Sequence, residues 1–476
     1  MNRYLTTTLP YVNADPHIGF ALEVVQADAL ARSWRLRGDD VFYFLGTDEH
    51  GQKILQAAEK AGQDVQSYVD HYSEEVRKLE GPLGLALDAH MRTTDTAHKE
   101  AAQEMWRRCE AVGDIYKKTY TGLYCVGCEA YKTEKELTPE GKCVLHPSLT
   151  PEEISEENYF FRYSKYADRL LEYLSREDSI IPDWRREEAI AFVKGGLEDF
   201  SISREKSRLS WGVPVPGDES QVMYVWFDAL TSYISALGWP NDREGKFKKF
   251  WEEGRVVQMA GKDQVRFQSL MWQAMLFSAD IKNSDQVFYH GFINSGGQRM
   301  SKSTGNVISP YELVEKYGTD ATRYLLLRHV HPVEDSDVTW ERLDEWYTAN
   351  LVNGLGNLVS RVMKLAETHL AEPVARPEPT PFPEEYWNAI DTFAFNEAMD
   401  FIWKKIQLLD ERITKEEPFK LVKEDVEKGR ALIAELALEV YHVGRLLNPF
   451  LPTANELIKK AVLENKKPEN LFPRLS

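Results

Sequence analysis

The chain has 476 residues, more than one hydrophobic core usually serves, so it is expected to fold into several domains. Hydrophobic residues make up 43% of it and aromatic residues 12%, which excludes a largely disordered chain. The net charge of -18, taken alone, argues against nucleic acid as a partner, although a large acidic enzyme can still carry a basic face.

The sequence predicts neither a membrane span nor a secretory signal. No apolar run approaches the roughly 20 residues that are needed to cross a bilayer. The first residues, "MNRYLTTTLPYV", lack a basic segment followed by an apolar one. A soluble, cytoplasmic protein is therefore expected.

The first part of the chain alternates strands and helices. "RYLTTTLP" predicts a buried strand, and "HIGFALEVVQADALARSWRLRG" has apolar residues at helical spacing up to Gly38, a suitable C-cap. "DVFYFLG" (40–46) predicts a second buried strand, and "TDEHGQKILQAAEKAG" opens another helix. This strand–helix–strand order indicates an α/β fold with a parallel sheet.

The alternation is interrupted and then resumes. Short polar segments surround the cysteines in residues 117–150, and residues 151–220 are mixed and rich in charge. Apolar segments return at 221–234, 256–263 and 286–293. The sequence therefore predicts one sheet domain that is split by an insertion.

The last third of the chain has a different pattern. From about residue 341 onwards it consists of long amphipathic segments, starting with "WERLDEWYTANLVNGLGNLVSRVMKLAETHL" and "EEYWNAIDTFAFNEAMDFIWKKIQLLDERI". The Pro-rich segment 371–385 links these two. This region is predicted to be a helix bundle.

Three of the four cysteines lie close together in the predicted insertion. Cys125-x2-Cys128 is followed, after fourteen residues, by Cys143-x2-His146. Two close pairs of thiolate and imidazole ligands suit tetrahedral Zn²⁺. With four protein ligands the site would be closed and structural, and Cys109, in a helical stretch, is expected to stay a free thiol.

Two short motifs suggest phosphate chemistry. His17 and Gly19 fall where the first strand turns into the first helix, a position that favours anionic ligands. Lys302 lies in "SGGQRMSKSTGN" (295–306), a Gly-flanked polar loop from which a lysine can reach developing negative charge. Each motif alone is also typical of an ordinary helix start or a solvated turn, whereas the combination is much more specific.

The motifs together carry a resemblance to a known family. "PHIGF" and "RMSKS", in a split α/β domain, resemble the two signatures of class I aminoacyl-tRNA synthetases. The resemblance is narrowed to the methionyl-tRNA synthetase family by the segments "TLPYVNADPHIG", "GTDEHGQKI", "SWGVPVPG", "YVWFDALTSYI", "GKDQVRF", "YHGFI" and "RMSKSTGN", and it covers essentially the whole chain. It implies ATP-dependent ligation of L-methionine to tRNA(Met) through a methionyl-adenylate, with Mg²⁺ accompanying ATP.

The resemblance also implies roles for particular residues. The implied catalytic residues are His17, Gly19, Lys302 and Arg299, and the implied ATP-binding residues are His17, Gly19, Phe20, Lys302, Ser301 and Ser303. The implied methionine site consists of Leu9, Tyr11, Asp48, Trp226, Ala229, Tyr233 and His290. The implied anticodon-reading residues are Asn357, Arg361 and Phe419, and the implied zinc ligands are Cys125, Cys128, Cys143 and His146.

Several of these positions also allow plainer interpretations or depart from the family pattern. Trp226 and Tyr233 could be ordinary core residues. Asp48 and Glu49 could be helix N-cap residues, and Asn357 and Arg361 could belong to a solvated helix face. Arg299 stands where the family usually has Lys, which keeps the charge but changes its shape. Phe20 stands where the family usually has His, so one hydrogen-bond donor of the first signature is missing.

The resemblance implies a domain plan. It comprises a Rossmann-type catalytic domain (1–116 and 221–297), a connective insertion (117–220) with a zinc knuckle (125–146), a loop and stem-contact region (298–345) and an α-helical anticodon-binding domain (346–476). No appended C-terminal dimerisation domain is recognised, so a monomer is expected.

Two other functions are compatible with parts of the sequence. One is another class I adenylate-forming enzyme, such as a nucleotidylyltransferase or an amino-acid ligase, but such enzymes would lack the helical third with its Asn-x3-Arg. The other is a zinc-containing tRNA-binding protein that has lost catalysis, for which Phe20 is the only support.

Overall fold

The computed structural model describes residues 1–128, 130–132, 136–300, 307–378 and 380–475. Among these residues, no helix is both long and apolar enough to cross a membrane. The strands, in chain order, are β1 (Asn2–Thr6), β2 (Asp40–Thr47), β3 (Ala89–Arg92), β4 (Ile115–Cys125), β5 (Ala130–Lys132), β6 (Glu152–Phe161), β7 (Ile180–Ile181), β8 (Phe200–Ser201), β9 (Ser203–Glu205), β10 (Pro214–Val215), β11 (Asp218–Met223), β12 (Arg255–Gly261), β13 (Gln286–His290), β14 (Ile293–Ser295), β15 (Gln298–Arg299) and β16 (Ser336–Asp337).

The helices are numbered in the same way: α1 (Ile18–Leu36), α2 (Gln52–Ala61), α3 (Val65–Arg77), α4 (Glu80–Leu83), α5 (Thr96–Ala111), α6 (Ala167–Leu174), α7 (Asp183–Lys194), α8 (Val225–Leu230), α9 (Ser232–Ser235), α10 (Trp272–Ser278), α11 (Pro310–Tyr317), α12 (Thr319–His329), α13 (Trp340–Trp346), α14 (Asn357–His369), α15 (Glu384–Asp391), α16 (Phe395–Glu416), α17 (Pro418–Glu424), α18 (Val426–Leu446) and α19 (Pro452–Leu463). Short 3₁₀ segments lie at Tyr163–Tyr166 and Lys262–Gln264, and π-helical segments at Phe247–Glu252, Val265–Met271 and Tyr347–Gly356.

The predicted parallel sheet is present. It has six strands in the order β3-β2-β1-β12-β13-β7, and β1 pairs in parallel with both β2 and β12. All residues of β13 and all but the first of β2 are buried, as the continuous apolar runs of these strands predict. The α/β fold class is confirmed.

The insertion differs in detail from the prediction. Its main sheet is antiparallel, with the order β5-β4-β6-β8, and β7 leaves it to pair with β13 at the edge of the parallel sheet. The segment 221–234 does not resume the parallel sheet: Gln221 pairs with Glu205 in a separate antiparallel sheet, and two short helices follow. Strand β11 is the central strand of this small sheet, and sequence spacing does not show which sheet an apolar strand will join.

The chain divides into two compact units. The first unit comprises Met1–Pro16, Asp40–Lys78 and Leu87–Tyr289, and the second comprises His17–Asp39, Leu79–Ala86 and His290–Ser476. The core of the first unit is rich in aromatic side chains, among them the fully buried Trp106, Trp251 and Trp272. The predicted domain boundaries stay predictions, because a division by contacts groups helix α1 with the C-terminal helices without regard to function.

The helical region of the second unit is more broken than its sequence pattern predicts. The predicted helix over 340–369 is continuous, with a π-helical stretch between α13 and α14. The next amphipathic segment is divided into α15 and α16 at Phe393, whose φ of 61° lies in the left-handed region. Helices α14, α17 and α19 pack against α18, which forms the centre of the bundle.

Candidate functional site

The carboxyl ends of β1 and β2 bring Leu9, Tyr11 and Asp48 together in the first unit. Tyr11 and Asp48 form an isolated parallel bridge, in which the Asp48 N–H donates to Pro10 O over 3.0 Å. Leu9 lies against Gly46, where a Cβ would come within 3.2 Å of Leu9 Cγ. Ligands of parallel α/β sheets bind at this edge.

Asp48 is not a helix cap. Helix α2 begins at Gln52 with Gly51 as its N-cap, so the alternative interpretation of Asp48 and Glu49 as capping residues is wrong. Both carboxylates are nonetheless buried. A buried carboxylate that does not cap a helix needs another reason to be there.

Three further predicted methionine-site residues lie on α8 and α9. Trp226 stacks on Phe267 with ring centroids 3.9 Å apart and planes inclined by 10°. Tyr233 is buried beside Trp272, and its carbonyl accepts a hydrogen bond from Tyr4. Ala229 is buried. Leu9, Tyr11, Trp226 and Tyr233 all belong to, or pack against, the same core cluster.

His290, the seventh predicted methionine-site residue, lies in the second unit. Its ring is buried, with Nδ1 2.8 Å from Gly291 O and Nε2 2.9 Å from a carboxylate oxygen of Glu23. Both ring nitrogens therefore have partners on the protein. The predicted role of His290 toward methionine stays a prediction.

Residues next to the predicted ones form a network that sequence reasoning missed. Asp228 is fully buried and accepts hydrogen bonds from His50 and His98, each over 2.7 Å. Burial alone would raise the pKa of Asp228, but the charge and hydrogen bonds of the two histidines outweigh it and lower the pKa to about 2. The only signal in the sequence is that His50 lies two residues after Asp48, and Asp228 two after Trp226.

Glu49 anchors the other side of the same loop. Its carboxylate receives two hydrogen bonds from Arg92, of 2.7 and 2.9 Å, and one from the Thr47 hydroxyl. The Trp211 indole N–H donates to Glu49 O over 2.6 Å. A two-pronged guanidinium contact is geometrically specific, so the backbone at residue 49 is firmly placed.

The first signature lies at the start of α1, in the second unit. The exposed His17 is the N-cap, and its Nδ1 accepts the N–H of Gly19 over 3.0 Å. A neutral His17 therefore carries its proton on Nε2. A Cβ at residue 19 would come within 2.9 Å of this ring, so a larger residue there would displace the His17 side chain. Phe20 is partly buried.

The segment that follows the second signature contacts the start of α1. The N–H of Ile18 donates to Ile308 O over 3.1 Å. β14 and β15 form a hairpin whose turn, Gly296 and Gly297, has positive φ at both residues, as two-residue hairpin turns require. The hairpin ends at Arg299, and the predicted ATP-binding residues Ser301, Lys302 and Ser303 lie outside the described residues.

The predicted zinc ligands come together. One ligand atom from each of Cys125, Cys128, Cys143 and His146 lies within 4.8 Å of all the others. Cys128 Sγ is 3.5 Å from Cys143 Sγ and 3.2 Å from His146 Nδ1. A tetrahedron with Zn–S bonds of about 2.3 Å has S–S edges of about 3.8 Å, so these residues fit Zn²⁺. A Cβ at Gly127 would collide with the His146 ring, so the tight turn also depends on glycine.

The predicted anticodon residues lie in the helical region of the second unit. Asn357 and Arg361 are one turn apart on α14; Asn357 is exposed, and Arg361 forms an ion pair of 3.1 Å with Asp410. Phe419 is 42% exposed. It is the second residue of α17, and the turn before this helix lies at Glu417, whose φ is 43°.

These features define a class I aminoacyl-tRNA synthetase, and comparison with known proteins agrees. A family model described as "tRNA synthetases class I (M)" matches residues 3–149 and 139–363. The methionine–tRNA ligase of Fusobacterium nucleatum is 37% identical in an alignment 486 residues long, which covers 99% of this chain and 76% of that relative. The methionine–tRNA ligase of Brucella suis is 39% identical in an alignment 470 residues long, which covers 95% of this chain and 90% of that relative. The chain belongs to the methionyl-tRNA synthetase family.

A solved structure has the same architecture. Mycobacterium tuberculosis methionyl-tRNA synthetase, in complex with methionyl-adenylate, superposes with a TM-score of 0.89 at 35% sequence identity. The alignment covers 96% of this chain and 93% of that one. The similarity therefore includes the catalytic fold, the insertion and the helical region.

Proposed function

We propose that the chain activates L-methionine with ATP and transfers it to tRNA(Met). The observation that carries the proposal is the grouping of Asp48 with Tyr11 at one sheet edge, within the unit whose core also holds Trp226 and Tyr233. A carboxylate would pair with the α-ammonium group, and aromatic rings suit a polarizable thioether. The family relationship and the methionyl-adenylate complex of a similar enzyme support this assignment.

The chemistry would be an in-line displacement. The methionine carboxylate attacks the α-phosphorus of ATP, and pyrophosphate leaves with the P–O bond electrons. His17 and Gly19, at the N-terminus of α1, would hold the phosphates, and Lys302 with Arg299 would stabilise the leaving pyrophosphate. Mg²⁺ would accompany ATP and neutralise phosphate charge. Ser301 and Ser303 would contact ATP beside Lys302, and Phe20 would contribute packing alone, since its side chain has no donor.

The metal site would serve the fold. Cys125, Cys128, Cys143 and His146 would hold one Zn²⁺ per chain, and with four protein ligands no position is left for a substrate. The metal would cross-link the ends of the β4–β5 turn to the segment around residue 146.

The helical region would read the anticodon. Asn357 and Arg361 present donors and acceptors on one face of α14, and the exposed ring of Phe419 offers a stacking surface for an unpaired base. The enzyme would act as a monomer in the cytoplasm, where its tRNA and amino-acid substrates occur together.

Pyrophosphate exchange tests the proposal. Each of the amino acids is offered with ATP, and methionine is expected to give the fastest exchange. Apolar pockets distinguish substrates that differ by one methylene group by only about 1–3 kcal/mol, so homocysteine should be a poor but detectable substrate. Faster exchange with leucine or cysteine than with methionine would refute the assignment. Charging of purified tRNA with a CAU anticodon then tests the transfer step.

A further inference from the structure

A buried chain of polar groups connects four elements of the first unit. Asp228 Oδ2 receives a hydrogen bond from His50 Nδ1, and Oδ1 receives one from His98 Nε2, both over 2.7 Å. His98 Nδ1 lies 2.9 Å from Ser235 Oγ. The two histidines and Asp228 are at most 2% exposed, and Ser235 is 9% exposed. The chain therefore runs through the protein interior.

Three of the four members lie within two residues of the proposed methionine site, and His98, on α5, connects two of them. His50 is on the same loop as Asp48, two residues further along. Asp228 lies between Trp226 and Ala229 on α8, and Ser235 is two residues after Tyr233 on α9. One carboxylate thus connects the proposed ammonium-binding loop with both helices that carry the proposed side-chain pocket.

The network does not resemble a hydrolytic centre in use, although it contains a serine, a histidine and an aspartate. The Ser235 hydroxyl lies within 3.4 Å of Ser232 O as well as near His98, and no member is exposed enough to meet a substrate. A nucleophile has to reach the reacting atom. Stability alone is also a poor explanation, because replacing a buried charged group by apolar residues is often neutral or stabilising.

The loop from Asp48 to His50 is held on two sides. Glu49 is fixed by Arg92, and His50 is fixed by Asp228 while its ring meets the edge of Trp211 at a centroid distance of 5.5 Å. Arg92 belongs to β3 and does not lead to the pocket helices. Asp228 is therefore the contact that sets the loop relative to α8.

We propose that Asp228 is a positioning residue for methionine: acting through His50 and His98, it sets Asp48 in register with Trp226, Ala229 and Tyr233. The proposal rests on the proposed function and deepens it. Asp228 does not touch methionine. Its loss would move the carboxylate that binds the ammonium group while leaving the ATP-binding signatures, which belong to the second unit, in place.

The test compares Asp228→Asn with a matched control, Asp114→Asn, in methionine-dependent pyrophosphate exchange. Asp114 is also fully buried in the first unit, where it accepts hydrogen bonds from Lys165 and Ser278. We expect Asp228→Asn to raise KM for methionine about tenfold with KM for ATP nearly unchanged, since about 1.4 kcal/mol of ammonium-binding energy corresponds to that factor. Asp114→Asn should leave KM for methionine within about twofold of wild type, because only a positioning defect, and not a general loss of packing, acts on KM.

A second measurement separates positioning from general damage. The inhibitor 4-(methylthio)butanoate is methionine without its ammonium group, so it does not use Asp48. Its inhibition constant should be unchanged in Asp228→Asn, so that the preference for methionine over this analogue falls about tenfold. Equal weakening of both ligands, or an unchanged KM in the folded variant, would overturn the proposal.

His98→Gln provides the test if Asp228→Asn does not fold. The Gln amide can still donate to Asp228 but loses the link to Ser235, so KM for methionine should rise about threefold, roughly 0.6 kcal/mol. An unchanged KM would overturn the proposal. If the wild-type enzyme itself shows no methionine-dependent exchange, the proposed function fails, and the role of Asp228 fails with it.

Discussion

Each unit of the molecule contains a completely buried aspartate with two basic side chains as partners, Asp228 in the first unit and Asp28 in the second, and the two are held in different ways. Asp228, in the first unit, has two imidazole partners. Asp28, in the second unit, pairs with Arg323 over 2.7 Å and Arg32 over 2.6 Å, and it accepts the N–H of Ala86. Two imidazole rings thus hold the first aspartate, whereas two guanidinium groups, which stay charged, hold the second. The first aspartate connects elements of the proposed methionine site, and the second stabilises the fold of the second unit.

The contacts of Arg323 show what Asp28 fastens. Arg323 is fully buried on α12 and donates to the carbonyl oxygens of Leu83, Pro449 and Phe450 as well as to Asp28 on α1. Its guanidinium group thus contacts three separate segments of the second unit. Helix α1 begins with His17, so the same cluster supports the helix that carries the first signature.

The largest effect is expected on breaking the arginine cluster. Arg323→Met should lower the free energy of unfolding by about 3–5 kcal/mol, because it leaves Asp28 partly uncompensated and three carbonyl groups without donors. Urea unfolding followed by far-UV circular dichroism measures it. Arg342→Met, at a position 52% exposed, is the matched control and should cost less than about 1 kcal/mol. Equal losses of unfolding free energy in the two variants would show that the buried Arg323 contributes no more to stability than the exposed Arg342.

The sequence pattern predicted individual helices, strands and the zinc ligands, but it did not predict the two groups of side chains around Asp28 and Asp228. Helix α1 and strand β2 follow from apolar spacing, and the zinc ligands follow from the spacing of Cys and His within one short segment. Asp28 and Arg323 lie far apart in sequence, as do His50 and Asp228. Their pairing depends on the tertiary fold, and neither spacing nor residue type predicts it.

The same distinction explains the errors in the helical region and the insertion. The break at Phe393 needs a left-handed backbone that is rare for an aromatic residue, so it is imposed by the packing of α15 and α16. The antiparallel pairing of Gln221 with Glu205 likewise depends on which strand the tertiary fold places beside this segment. The sequence shows that both segments are apolar but not which neighbour they meet.

An intermediate effect is expected from the pH dependence of the histidine cluster. The pKa of Asp228 is lowered to about 2 from its ordinary value of 3.8, so the folded state binds the proton more weakly than the unfolded state does. The stabilisation is complete above about pH 5 and is lost as the pH falls through the folded pKa, with about 1 kcal/mol lost by pH 3. The free energy of unfolding, measured by urea titration, should therefore fall between pH 5 and pH 3 by about 1 kcal/mol less in Asp228→Asn than in wild type. The same loss in wild type and variant would contradict the ionised state of Asp228.

The smallest effect on stability is expected at a pair that is only half-buried. Arg361 and Asp410 are 3.1 Å apart, with side chains 40% and 29% exposed. Burial raises the pKa of Asp410 despite the nearby Arg361, which indicates that the guanidinium group does not hold this carboxylate strongly. Asp410→Asn should therefore change the free energy of unfolding by less than about 1 kcal/mol in urea titrations. A larger loss of unfolding free energy would show that the Arg361–Asp410 pair stabilises the fold as strongly as the buried ion pairs do.

A weak pair leaves Arg361 available to another acceptor, and this gives the pair a functional prediction. If Arg361 contacts a base or phosphate of the anticodon loop, Arg361→Ala should raise KM for tRNA about tenfold, as the loss of about 1–3 kcal/mol per contact predicts. Methionine-dependent pyrophosphate exchange should stay at the wild-type rate, because activation takes place without tRNA. Arg412→Ala is the matched control: Arg412 lies on α16 and pairs with Glu416 and Glu435, so its loss removes a charge of the same kind without affecting Arg361.

Phe419→Ala should resemble Arg361→Ala if its exposed ring stacks on a base. Equal charging of tRNA with the CAU anticodon and with an altered anticodon would show that neither residue reads the anticodon.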